Sequence, residues 1–578
     1  MPRIFENVNL RGEASSADDQ TVATRYAEFP DASLVRSDRP RRRSPYWVAA
    51  ITAGLALLFA LLLLWRFPPF LDEAIYSGWT ARIAADPSER FVPLANGKEP
   101  LFEWLAATMT TLGIGAFTAG RLVSVVTSFG TIALVTALGG IVGGRRVALT
   151  SGLLSAICPF LVVYGVLGLY ETLATFLVTA TLLLQILLAR TLRLDVALLL
   201  GASFGLGLLT KQSTLVAFVL WPMSLVLVDW SRPALVARLT RLTGLAVLST
   251  AVAYAIASIL RLSEFYDDLG RLRKELYPVH SISDALSTPG TWMEQNWPAY
   301  RDVIATYVTP AVILAAAVGV GLGLRRKAPL TSVLIAWAVI PLVAAALLAD
   351  APYPRYVHVT APPLLVLAAM GGVWTADALS AALRASTRRG LAPFALPLVV
   401  GLVVLHPLLF DVRLAVNPTS VTFPGLDEEQ FVTGWPAGTG LKAMKRELET
   451  RAGKSSATVV LLGPQAPGWL SYAMRSDSRF SFVSSESDEP SALLALENGA
   501  PLPPRSDSLA WSPIHRVKRP RNGVPLVLYE SGVRFRGRFV ASPEELRRLI
   551  VPDARFDEYV AERPAVKSWL ESWYAANA

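Results

Sequence analysis

Cysteine is almost absent from this chain. Among 578 residues there is one, Cys158, inside an apolar block, so no intramolecular disulfide can form and any folded domain must hold together by its core alone. The four histidines (His280, His358, His406, His515) are scattered without metal-ligand spacing, so no histidine-based metal site is expected. Charge is thin, at 17% of residues against 53% hydrophobic, with a mean hydropathy of +0.43. A soluble chain of this length would need more charge to cover its surface. The sequence has no glycine-rich loop to cradle a nucleotide phosphate and no internal repeat. It also has no usable N-glycosylation sequon, since Asn417-Pro-Thr419 is blocked by its proline. Together with the lack of a C-terminal retention signal, this favours a bacterial-type plasma membrane over the endoplasmic reticulum.

What the chain does have is long apolar blocks. About 20 apolar residues span about 30 Å of hydrocarbon, and blocks of that kind fall near 46–65, 121–143, 147–165, 171–189, 195–210, 212–229, 243–260, 305–323, 329–349, 357–375 and 391–410. The expectation is a polytopic α-helical membrane protein with about eleven transmembrane helices. Residues 1–45 are polar and basic, ending in Asp38-Arg-Pro-Arg-Arg-Arg43, and read as a disordered cytoplasmic tail. The first block reads as a signal anchor, because Arg66-Phe-Pro-Pro offers no small-residue cleavage site.

With the tail inside, every short internal loop is basic: Arg145-Arg146; Arg190 and Arg193; Arg232, Arg238 and Arg241; Arg325-Arg326-Lys327; Arg384, Arg388 and Arg389. This is the positive-inside pattern. It assigns much of the net charge of +9 to topology rather than to nucleic acid, for which no partner role is expected. An odd number of spans puts the C-terminus outside.

The domain reading follows: a tail at 1–45, a transmembrane domain at 46–410 with outer loops at 66–120 and 261–304, and a soluble extracytoplasmic α/β domain at 411–578. In that last domain Leu441, Met444 and Leu448 share a helical face that Gly453 ends. Thr458–Leu462 and Val524–Tyr529 read as strands, the first stopped by Gly463-Pro464. Ser542-Pro-Glu-Glu545 reads as a capping box for a helix to about Ile550. The run His515-Arg-Val-Lys-Arg-Pro-Arg521 reads as a solvated loop.

The outer edge carries the chemistry. Leu71-Asp-Glu-Ala-Ile-Tyr-Ser-Gly-Trp79 puts Asp72 and Glu73 just past the first span. A carboxylate near a low-dielectric surface gains basicity, which suits a general base; on spacing alone an ordinary solvated acidic pair at a membrane exit is the simpler reading. Lys98 follows in Lys98-Glu-Pro-Leu101. Lys211 interrupts two apolar blocks at their outer turn, and Arg355 opens another span. Such charges are functional candidates by default, although snorkelling to lipid headgroups also accommodates Lys211 and Arg355. Glu171 opens a span on the same side, where it could serve only the helix dipole. His358 reads as an interfacial hydrogen-bonder. The cations together suit a lipid phosphate.

The order of these features resembles the GT-C glycosyltransferases that use polyprenyl-phosphate sugars, a superfamily that includes protein O-mannosyltransferases and lipid A aminoarabinose transferases. The matching residues are Asp72-Glu-Ala-Ile-Tyr76, Lys98-Glu-Pro-Leu-Phe-Glu-Trp104, Arg121-Leu122, Leu209-Thr-Lys211, and Arg355-Tyr356 ahead of Pro362-Pro363. They span about residues 46–410. Beyond them only Gln430-Phe-Val-Thr-Gly-Trp-Pro-Ala-Gly438 looks like a family segment. Glu99 replaces a family proline, and Glu171 stands where many relatives carry Asp.

The resemblance implies inverting transfer of a sugar from a polyprenyl-phosphate donor to a hydroxyl on a glycan, lipid or protein acceptor, at the extracytoplasmic face. Asp72 would be the base and Glu73 would orient a substrate. Lys98, Lys211 and Arg355 would hold the phosphate, with Tyr76, Glu171 and Tyr356 beside them. No cofactor is implied, and a divalent metal is left open. A transporter or lipid flippase remains the alternative, as does a non-catalytic scaffold. Against transport stand the missing repeat and the clustering of charge at one face.

Overall fold

The computed structural model describes residues 46–578 apart from 229, 231–234, 277–281, 327, 453–456, 463–467, 476, 485–491, 500–508, 551–552 and 578. The expected tail at 1–45 and the breakers Gly453 and Gly463-Pro464 lie outside the described residues.

Among the described residues, seven helices are long and apolar enough to cross a membrane: Val48–Arg66, Ala116–Ala156, Tyr170–Thr191, Leu235–Leu262, Pro329–Leu348, Pro354–Arg384 and Arg389–Val416. Pro289–Val308 and Pro310–Arg325 make an eighth if the pair is one span, bent by 97°. Pro310 sits at the first helical position, where its missing N–H costs nothing. Thr309 ahead of it turns the chain at φ 73°.

The remaining three expected spans are helical but short or interrupted, which is where the count of eleven departs from the structure. The segment 147–165 is broken at Ile157–Cys158, 195–210 is a 15-residue helix (Leu194–Leu208), and the span expected at 212–229 is a series of short turns over Gln212–Leu227. Hydropathy detects apolar length; it does not detect a local loss of helix geometry. The 41-residue stretch Ala116–Ala156 also folds back on itself. Gly143 and Gly144 leave helical geometry, the latter at φ 71°, and Ser151 Oγ donates to Val135 O at 3.2 Å across the two arms.

Apolar side chains alone give little reason for helices to associate in lipid, so close backbone approach matters. A Cβ on Gly371 would lie 1.9 Å from Ala315 O, and one on Gly319 would lie 2.1 Å from Leu367 O. Glycine at both points lets Pro310–Arg325 and Pro354–Arg384 cross in contact.

The segment 66–120 builds three short helices: Leu71–Ala85, Pro87–Asn96 and Leu101–Thr111. The C-terminal part carries a mixed six-stranded sheet. Its strands are β1 (Ala457–Leu462), β2 (Phe480–Ser484), β3 (Leu494–Asn498), β4 (Leu509–Val517), β5 (Leu526–Phe535) and β6 (Arg538–Val540). The order is β2-β1-β3-β5-β4, with β6 on β5; β1 is parallel to both neighbours and the other pairs are antiparallel. Helix Leu441–Ala452 buries Leu441, Met444 and Leu448 against this sheet. Ser542 caps Pro543–Leu549 by accepting Glu545 N–H at 3.2 Å.

The basic run at 515–521 is not a solvated loop. His515 and Arg516 belong to β4, and Arg521 pairs with Glu428. Arg519 is buried, its guanidinium donating to Thr439 O, Ala437 O, Val524 O and Asn498 Oδ1. Burial pushes that guanidinium down to about 10. Four backbone and side-chain acceptors grouped by the fold are not visible in a run of basic residues.

Candidate functional site

The first span ends at Arg66, and Phe67-Pro-Pro-Phe70 carries the chain into helix Leu71–Ala85. The two acidic residues at its start point to different environments. Glu73 is 2% exposed, and its carboxylate is fully engaged. It accepts from Arg121 Nε at 2.8 Å and Nη2 at 2.9 Å, from Gly168 N at 2.7 Å and from Phe70 N at 3.0 Å. Arg121 in turn donates to the carbonyls of Leu64, Phe67 and Pro68, which tie up the end of the first span. Glu73 and Arg121 therefore join the first span, the entry helix and the turn before Tyr170.

Asp72 points elsewhere. Its Oδ2 accepts from Arg355 Nη1 at 2.5 Å, with the two side chains 22% and 15% exposed. Close by, Lys211 Nζ donates to Glu171 Oε1 at 2.7 Å and lies 5.4 Å from the centre of the Tyr356 ring. Lys98 is within electrostatic reach of all four: burial pushes its ammonium down to about 8, Arg355 and Lys211 push the same way, and Asp72 and Glu171 oppose them. Tyr76 is buried, edge-on to Tyr170 at 4.6 Å and within electrostatic reach of Arg355. The sequence candidates thus converge, except that Glu73 faces the Arg121 clip.

Three cations against two carboxylates leave this cluster with one positive charge in excess. All five charged side chains come from elements far apart in sequence. Paired charges at a membrane edge are affordable when each is matched, and the excess suits a further anion.

Sequence reasoning missed several residues. Arg273, from the segment 261–304, pairs with Glu99 at 2.5 Å and donates to Gly97 O at 3.3 Å. Burial raises the Glu99 carboxyl, and Arg273 opposes the shift. The negative charge beside Lys98 is therefore matched from outside the site. The signal lay in the run Asp267–Lys274, whose charges had no visible target. Glu103 is fully buried, its Oε1 accepting from the Tyr170 hydroxyl; burial lifts its carboxyl to about 8. His358 is held by Thr175 Oγ1 at 2.7 Å and Phe160 O at 3.2 Å, a buried structural histidine. Among the described residues no three His, Cys, Asp or Glu side chains gather as metal ligands.

Asp427 had no sequence signal. It is wholly buried, accepting from Tyr307 Oη at 2.6 Å and from Tyr164 Oη at 2.9 Å. Burial lifts its carboxyl to about 7, and the two hydroxyls oppose this. The same stretch of chain pairs with the site's entry: Leu71 N donates to Pro436 O at 3.2 Å, and Phe70 bridges to Ala437. The family-like segment 430–438 therefore lies against the turn that presents Asp72.

Residues 97–256 match the protein family described as dolichyl-phosphate-mannose-protein mannosyltransferase, a stretch that holds Lys98, Glu171 and Lys211. The match covers little more than a quarter of the chain. The fold agrees. The apo crystal structure of ArnT from Cupriavidus metallidurans superposes with a TM-score of 0.51 at 13% identity, covering 84% of this chain and 97% of that one. The same protein bound to undecaprenyl phosphate gives 0.49 at 14% identity, covering 84% and 98%. The archaeal oligosaccharyltransferase AglB from Archaeoglobus fulgidus gives 0.47 at 13%, covering 74% and 63%. Comparison with curated protein sequences found no match. The chain is thus a multi-pass membrane protein with an ArnT-like fold, and its residues 97–256 are similar to the mannosyltransferase family.

Proposed function

We propose that the Asp72–Arg355 and Lys211–Glu171 pairs, with Lys98, form the reaction centre of an inverting sugar transfer from a polyprenyl-phosphate donor to an acceptor hydroxyl. The observation that carries this is the clustering of three cations and two carboxylates from distant elements, one positive charge in excess. A phosphate monoester leaving group needs cations to stabilise its charge more than it needs a proton donor. Keeping the donor's lipid tail in the bilayer would hold the reacting carbon near Asp72.

The step balances as follows. The acceptor oxygen attacks the anomeric carbon and its proton passes to Asp72. The bond from that carbon to the phosphate oxygen breaks, and the electron pair leaves with the polyprenyl phosphate, inverting the centre. The ion pair with Arg355 gives this an order. A phosphate arriving among Lys98, Lys211 and Arg355 competes for the guanidinium, which frees the Asp72 carboxylate to take the acceptor proton. Glu73, committed to Arg121, would orient this helix rather than touch substrate, and Tyr76 and Tyr356 would line the site.

We place this centre on the extracytoplasmic face of the cell membrane, with the N-terminus cytoplasmic. Glu171 and Arg190 stand near opposite ends of one 22-residue helix, roughly 29 Å apart at 1.5 Å per residue. Arg355 and Arg384 likewise bracket Pro354–Arg384. Basic residues therefore gather at the end remote from the cluster, which supports a cytoplasmic assignment for that end. In this orientation the domain from 411 is extracytoplasmic, since residues 436–437 pair with Phe70 and Leu71 beside the site.

The test is Asp72→Asn, read by mass spectrometry of envelope glycans, lipids and proteins. Loss of one sugar modification with normal protein levels is the expected result. Transfer at the wild-type level would remove Asp72 as the base, and no change even on deleting the protein would favour transport.

A further inference from the structure

The segment 423–437 plays no part in the reaction just described, yet it lies against the residues that precede each half of the Asp72–Arg355 pair. On the Asp72 side it pairs with Phe70 and Leu71 through its backbone, and Phe431 meets the Phe70 ring edge-on at 5.3 Å. On the Arg355 side, a Cβ on Gly425 would lie 3.8 Å from the Pro354 ring. Between these contacts Asp427 reaches down into the bundle to Tyr164 and Tyr307. The Tyr307 ring stacks on Phe160 at 4.9 Å, and Tyr164 packs at 5.1 Å on His358, one turn along the helix from Arg355. A buried carboxyl is tolerated only where its oxygens are satisfied, and here two phenols from the bundle satisfy it.

We propose that Asp427 is a positioning residue, fastening the 423–437 segment through Tyr164 and Tyr307 so that Arg355 is held in reach of Asp72 and of the donor phosphate. This rests on the reading of Arg355 as a phosphate ligand given above. Removing the carboxyl leaves two buried hydroxyls without their acceptor and releases the turn carrying Pro354 and Arg355. A misplacement of an ångström is enough to cost a charge-assisted contact most of its value.

The experiment uses the full chain in lipid nanodiscs with undecaprenyl phosphate as the probe, so neither sugar nor acceptor need be known. Arg355→Ala should weaken binding by roughly tenfold or more, the worth of a charged hydrogen bond. Asp427→Ala should weaken it by a similar factor. Asp427→Asn, whose amide can still bond both hydroxyls, should stay within about threefold of wild type. The decisive comparison is the double variant: Asp427→Ala added to Arg355→Ala should cost nothing further, because the first acts through the second. Wild-type affinity in folded Asp427→Ala, or losses that simply multiply, would overturn the proposal. If Asp427→Ala does not fold, Tyr164→Phe and Tyr307→Phe keep the rings and remove one donor each. Each should then weaken binding in the wild-type background and not in Arg355→Ala, and wild-type affinity for both would overturn the proposal. Unchanged binding in Arg355→Ala itself would instead sink the phosphate reading under Proposed function.

Discussion

Removing Arg121 should damage the fold before it damages the chemistry. Its partner Glu73 is 2% exposed and receives four hydrogen bonds, two of them charge-assisted from the guanidinium at 2.8 and 2.9 Å. Arg121→Met leaves that carboxylate with only the Gly168 and Phe70 N–H groups. It also strands the carbonyls of Leu64, Phe67 and Pro68. Breaking a buried pair by deleting one partner costs about 3–5 kcal/mol, because the remaining charge stays buried. Each orphaned carbonyl adds on the order of 1 kcal/mol where water cannot reach it. Glu73→Gln should cost a similar amount by stranding the guanidinium instead.

The assay is thermal unfolding of the purified protein in one detergent for wild type, Arg121→Met, Glu73→Gln and the double variant. Both single variants should melt several degrees lower. The double variant should melt above at least one of them, since removing both charges abolishes the uncompensated one. Additive losses would refute the reasoning. So would Glu73→Gln melting like wild type while losing sugar transfer, which would return Glu73 to direct contact with substrate.

Lys98 gives a pH prediction. Its ammonium ordinarily titrates well above neutrality and is pushed down to about 8 here, so the free site sheds this proton as pH climbs through 8. The phosphate's own second ionisation, near 6, is complete by then. Affinity for undecaprenyl phosphate should therefore fall between pH 7.5 and 9.5, by at most about tenfold per unit. Lys98→Arg should flatten that fall, since a guanidinium stays charged; an equally steep fall in that variant would show another group responsible. The unliganded fold follows the opposite sign. Its unfolded chain keeps the Lys98 proton longer, so stability rises with pH above about 8. Gly438→Ala tests the docking of the C-terminal segment: its Cβ would lie 2.0 Å from Pro69 O, so the entry turn must move. Transfer should drop while the sheet keeps its circular dichroism, and wild-type activity would show that the turn tolerates the shift.

The sequence made visible whatever is local and repeated, and left hidden whatever the fold gathers from afar. Apolar length disclosed the bundle, yet the breaks at Ile157–Cys158 and Thr309 leave no mark in hydropathy. Asp72, Lys98, Lys211 and Arg355 could be found because each is a charge interrupting or bordering an apolar block, where a charge needs a reason. Glu73 shared that signal with its neighbour and could not be separated from it. Adjacent positions on a helix point about 100° apart, so one acid turned to the site and the other to Arg121. Arg121 was conspicuous as a motif residue but had no legible task. Its partners lie 48 to 57 residues back along the chain. Asp427 is the limiting case, since it sits among ordinary polar neighbours beyond the last span. Only the return of the chain beneath the entry helix brings its carboxylate to Tyr164 and Tyr307, 263 and 120 residues earlier. A charge in an apolar block announces its cost in one dimension. A charge carried into a buried site by a loop announces it only after folding, which is why the charges of the cluster could be picked out in the sequence while Asp427 could not.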